Sequence, residues 1–162
     1  MKKRIVLVIL FVGLVIVGCS NGELSGKSNG ELSGKKPPKV FIELNDERFE
    51  TVLGTYCWKS GNDGICVDKA GPKELLEGKK PVRVKAGEKV KLVMDFEPKP
   101  NEIHLTQISG EKETEVELTS QQFTVPNEKG LYYYSYGVWW MDEKEKNVSN
   151  GDAFYAFALE VY

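Results

Sequence analysis

Cys57 and Cys66 bracket eight residues in the stretch TYCWKSGNDGICV, and the chain holds only one further cysteine, Cys19. A pair this close can be a structural bridge, a redox dithiol or half of a metal site. Redox work favours a tighter C-x-x-C spacing and an activating group beside the thiol. Zinc usually takes four ligands, and the single histidine, His104 in EIHLTQIS, has no second histidine near it and no motif that marks a neighbouring hydroxyl as a nucleophile. No phosphate loop or paired metal motif is spelled anywhere in the chain. The sequence therefore assigns no catalytic residue, no metal and no cofactor. If the strands around Cys57 and Cys66 pair symmetrically about Gly61 and Asn62, Cys57 faces Cys66, Trp58 faces Ile65 and Lys59 faces Gly64. Facing positions can bring two sulfurs within bonding range, and Gly61 suits the positive φ of a tight turn.

Which chemistry the pair follows depends on the compartment. The chain opens with Met1, Lys2, Lys3 and Arg4 and continues IVLVILFVGLVIVG from Ile5 to Gly18. That apolar run is too short for a spanning helix of about 20 residues; its basic start and short apolar centre read as a secretory leader. Ile16, Val17, Gly18 and Cys19 resemble the bacterial lipobox. The resemblance implies a signal peptide over 1–18, cut ahead of a diacylglyceryl-modified Cys19 whose amine is then acylated. Two or three acyl chains hold a protein firmly to a bilayer, so the resemblance places it on the outer face of a bacterial membrane. Cys57 and Cys66 are then an even pair in an oxidising compartment, where a structural disulfide is the favoured reading over redox or metal chemistry.

After Cys19 the octamer SNGELSGK occurs twice, over 20–27 and 28–35, followed by KPPK to Lys39. Rich in Ser, Gly and Asn, it reads as a flexible tether over 19–39 that lacks the apolar content to pack. The folded part is then 40–162, of a size for one core. The whole chain carries net charge −2; losing Lys2, Lys3 and Arg4 takes it to −5, and setting aside the tether's four lysines and two glutamates leaves the folded part near −7. That sign argues against nucleic acid and against adhesion to anionic lipid, leaving the lipid on Cys19 as the bond to the bilayer.

Short runs rich in Val, Ile, Tyr and Phe alternate with turn signals from Val40 onward, and only ELLEG around Glu74 suggests a helical turn. Strands are expected over 40–44, 51–59, 65–68, 82–85, 89–96, 102–109, 115–119, 123–125, 131–141 and 153–161, a pattern of the all-β sandwich. GEKVKLVM (87–94) resembles the immunoglobulin strand B, with Met94 where that family has a cysteine, and PNEKGLYYY (126–134) resembles the turn into strand F. The resemblance implies an antiparallel immunoglobulin-like sandwich over 81–162 with a hairpin extension over 40–80. It also implies a tyrosine corner at Tyr132 and an apolar Met94–Tyr134 contact in place of the cross-sheet disulfide. The order GTYCWK, GEKVKL, FTVPNEKGLYYYSYGVWW, AFYAFALEV is similar to small Gram-positive surface lipoproteins and sensor ectodomains, which supports location and fold and supplies no chemistry.

In a strand over 131–141, Tyr132, Tyr134, Tyr136, Val138 and Trp140 share one face, and Leu131, Tyr133, Ser135, Gly137, Trp139 and Met141 the other. The second face is either covered by the extension, with Trp58 packed on it, or open as a platform for a sugar ring or an apolar side chain. The charged loop DEKEKNVSNG, holding Asp142 and Asn147, occupies the position of an antigen-binding loop in variable immunoglobulin domains. The functional expectation is a non-catalytic module that binds an envelope protein or glycan through Tyr133, Trp139 and this loop. The alternatives are a peptidase inhibitor, a hydrolase or a dithiol redox protein.

Overall fold

The computed structural model describes residues 32–162, so the leader, Cys19 and the first octamer lie outside the described residues. Two antiparallel sheets pack face to face as an all-β sandwich. The smaller sheet has the order β2 (Glu47–Glu50), β1 (Phe41–Leu44), β6 (Lys89–Val93), β9 (Gln122–Thr124). The larger runs β4 (Asp63–Val67), β3 (Val52–Ser60), β11 (Ser149–Val161), β10 (Gly130–Met141), β7 (Glu102–Ser109), β8 (Lys112–Glu115). The short β5 (Val82–Val84) joins β11 in parallel at Leu159 to Val161, on the edge that β3 occupies antiparallel at Gly151 to Ala156.

Period-two alternation drives this arrangement. In β6, buried Val90 and Leu92 alternate with exposed Lys89 and Lys91; in β1, Ile42 and Leu44 are buried. From the larger sheet Tyr134, Tyr136, Val138, Tyr155 and Leu159 enter the same core, each at most 1% exposed. Tyr134 lies parallel to Phe157 with centroids 4.9 Å apart, and Phe123 of β9 meets both rings from the opposite sheet. Met94 and Tyr134 belong to this one core cluster. The Tyr132 hydroxyl donates to the Glu128 carbonyl at 3.0 Å, closing the corner at the entry to β10.

Several expectations change. The tether was expected to stay unpacked as far as Lys39, but Leu32 in the second octamer is 2% exposed, Trp58 Nε1 donates to the Gly34 carbonyl at 3.0 Å, and Tyr155 donates to the Pro38 carbonyl at 2.7 Å. A single leucine suffices because the core offers it a ready-made notch. One of the two alternatives for the outer face of β10 packs Trp58 over it. Instead β3 continues the larger sheet sideways beyond β11, and Trp58 points inward, making edge contacts with Trp140 at 5.0 Å and Phe96 at 5.7 Å. The strand expected over 115–119 lies earlier, at β8, and β2, charged and with one apolar residue, had no pattern to announce it. The helical turn α1 (Pro72–Leu75) starts two residues before ELLEG.

Candidate functional site

The β3–β4 hairpin registers Cys57 with Cys66, Trp58 with Ile65 and Lys59 with Gly64, with Gly61 at φ +61° in the turn. The two cysteines are bonded, their Cα atoms 4.1 Å apart. The pairing continues across the outer face of the larger sheet. Cys57 stands opposite Asp152 on β11, Asp152 opposite Trp139 on β10, and Trp139 opposite Glu102 on β7. At about 4.8 Å per strand, the row from Cys66 to Glu102 crosses five strands. A second row sets Phe154 of β11, Gly137 of β10 and His104 of β7 side by side.

Trp139 is the centre of this surface. A Cβ on Gly137 would come within 2.7 Å of the distal carbon of the indole, so the ring reaches back over Gly137 and requires a glycine beneath it. Phe154 and His104 meet the indole nearly at right angles, with centroids at 5.2 Å and 5.5 Å. The indole is thereby held from both sides while remaining partly exposed.

Carboxylates frame the aromatic group. His104 Nδ1 donates to Glu115 at 2.9 Å and Nε2 reaches Glu102 at 3.4 Å. Both carboxylates can only accept, which favours the doubly protonated ring; the Glu115 hydrogen bond above all raises the His104 pKa over its usual value. Asp152 accepts from the Cys57 backbone N–H at 3.2 Å, yet partial burial raises its pKa. Sequence reasoning missed His104, Glu102, Glu115, Asp152 and Phe154 as one group. Their proximity comes from register between distant strands, and only the position of His104 opposite Gly137, once 102–109 is paired with 131–141, could have pointed to it.

The other expected site residues do not join Trp139. Tyr133 lies on the same face of β10, but six residues away, about 20 Å along the strand. Between them Ser135 lines a cleft of about 290 Å3 walled by Pro72 and Leu75 of α1 and by Gly54, Phe154 and Ala156. The extension thus covers the middle of the face through α1, and the Trp139 end stays open. Asp142 is committed to its own loop: it accepts from the N–H groups of Lys144 at 2.8 Å and Glu145 at 3.0 Å and from the Asn150 side chain at 3.2 Å, and these bonds lower its pKa. Asn147 is exposed at φ +61°, a turn position. Among the described residues no group of His, Cys, Asp and Glu forms a metal site, and no helix is long and apolar enough to cross a membrane. Comparison with family models, with curated proteins and with solved structures gave no match.

Proposed function

We propose that the protein is a lipid-anchored, extracytoplasmic, non-catalytic binding module of a bacterial membrane, and that it engages ligand through the open end of the larger sheet, centred on Trp139. The resemblance of Ile16 to Cys19 to a lipobox supports the anchor and the location. The observation that carries the binding role is the partly exposed indole of Trp139, held over Gly137 between Phe154 and His104. A held, partly exposed aromatic surrounded by acceptors suits a polyhydroxylated ring: the apolar face of a sugar stacks on the indole, and its hydroxyls donate to Glu102, Glu115 and Asp152. The same carboxylates, on a chain of net charge −2, disfavour anionic polymers. The ligand class is therefore a neutral envelope glycan.

The test is a titration of the protein with neutral and with acidic soluble glycan fragments from bacterial envelopes, followed by isothermal titration calorimetry. Neutral fragments are expected to saturate the signal and Trp139→Ala to abolish it. Binding that survives Trp139→Ala unchanged, or that favours the acidic fragments, refutes the assignment.

A further inference from the structure

The notch that receives Leu32 is built for an occupant. Gly151 has no side chain, and a Cβ there would fall 2.5 Å from Leu32 Cδ1 and 2.9 Å from the Trp58 ring, so leucine, indole and bare backbone fill one space. The buried Trp58 N–H is satisfied by the Gly34 carbonyl. Without an occupant the notch would expose apolar surface and strand an indole donor, both unfavourable. These contacts come from two positions of the octamer, its leucine and its second glycine. The first octamer, Ser20 to Lys27, repeats the second residue for residue, with Leu24 in place of Leu32 and Gly26 in place of Gly34.

Downstream of both copies the chain is fixed: Pro37 is buried, and the Pro38 carbonyl is held by Tyr155. Leu24 is therefore only one octamer further out on the same leash. Loop-closure entropy grows slowly with length, so an extra octamer in the loop lowers occupancy only a few-fold. The nearer copy holds the notch through Leu32 and Gly34, and the farther copy spells the same two residues.

We propose that the Trp58–Gly151 notch is a binding site for the peptide SNGELSGK and that the first octamer of the same chain occupies it whenever the second leaves. In the anchored protein proposed above, the two registers would differ by one octamer in the chain available between Cys19 and the sandwich, giving the domain two heights above the bilayer. The duplication would then be a spacing device as well as a linker. The docking itself does not depend on the anchor or on the Trp139 site.

The experiment uses the full chain in detergent micelles, reading the Trp58 indole N–H by NMR and stability by urea. Leu24→Ser is expected to change neither. Leu32→Ser is expected to keep the indole resonance near its native position and to raise the unfolding constant only a few-fold. Leu24→Ser/Leu32→Ser is expected to shift the resonance and raise the unfolding constant roughly tenfold or more, and added synthetic SNGELSGK to restore it. Should that variant not fold, Leu24→Ala/Leu32→Ala, which removes less of the chain's fit, is read in the same way. A Leu32→Ser loss as large as the double variant's, or no loss in either, overturns the proposal. A rescue of Leu32→Ser that grows with protein concentration also overturns it, because the occupant would then come from another chain.

Discussion

Along β10, Tyr132, Tyr134, Tyr136, Val138 and Trp140 are all buried, whereas Leu131, Tyr133, Ser135, Gly137, Trp139 and Met141 on the opposite face range from a buried glycine to an exposed leucine. On the core face every polar tip has a partner. Tyr132, Tyr134 and Tyr136 donate to Glu128, Gln107 and Gln121, and the Trp140 N–H donates to the Pro98 carbonyl. That aromatic richness is spent on stability. On the outer face one aromatic stands over a glycine with carboxylates around it and no covering element. Two faces of one strand, alternating residue by residue, thus serve packing and recognition separately, and substitutions on each should read out differently.

The largest effect is expected on the core face. Tyr134→Ala removes a fully buried ring stacked on Phe157 and should cost about 3–5 kcal/mol, seen as a loss of urea midpoint; Tyr134→Phe, which leaves Gln107 without its donor, should cost about 1 kcal/mol. Next comes the hairpin beside the outer face. Replacing Cys57 and Cys66 together by serine should cost about 2–3 kcal/mol by the loop-entropy account; binding at Trp139 should persist in the fraction that remains folded, since Asp152 separates the bridge from the indole in the row across the sheet. Gly137→Ala sharpens the contrast: the new methyl displaces the indole, so stability should fall by only about 1 kcal/mol, because a partly exposed ring can swing aside, while glycan binding is lost.

The smallest effect concerns pH. His104 has a folded-state pKa above its ordinary value, chiefly through Glu115. Its contribution is therefore fully present below the ordinary histidine value and is lost as pH rises through the raised folded value. An NMR titration should find the raised value, and Glu115→Gln should bring it down toward the ordinary one. As the pair is exposed, the matching change in stability should be at most about 0.5 kcal/mol. A His104 titration unmoved by Glu115→Gln would remove Glu115 from the frame around Trp139.

What the sequence discloses here follows distance along the chain. The facing of Cys57 and Cys66 is readable because eight residues fold symmetrically about one turn. The two faces of β10 are readable because parity is local; the Tyr132 corner comes from the resemblance to strand F, and it closes on Glu128 four residues upstream. The placement of β3 beside β11 joins residues nearly a hundred positions apart and leaves no local pattern. For that reason Trp58 could be assigned to the wrong face. Leu32 is hidden for the opposite reason: its octamer is polar and repetitive, and only the notch formed by Trp58 and Gly151 gives its one apolar side chain a destination. The frame around Trp139 combines three strands whose register decides everything, and composition contains none of it.

The three tryptophans offer the most direct measurement. The indole N–H groups of Trp58 and Trp140 are buried and bonded to the Gly34 and Pro98 carbonyls, and Trp139 is partly exposed on the opposite side of the sheet. In a two-dimensional NMR titration with neutral envelope glycan fragments, the Trp139 indole should shift together with Phe154 and His104, while the Trp58 and Trp140 indoles stay in place. Shifts confined to Trp58 or Trp140, or a Trp139 resonance unmoved at saturating ligand, would contradict the division of the two faces into packing and recognition.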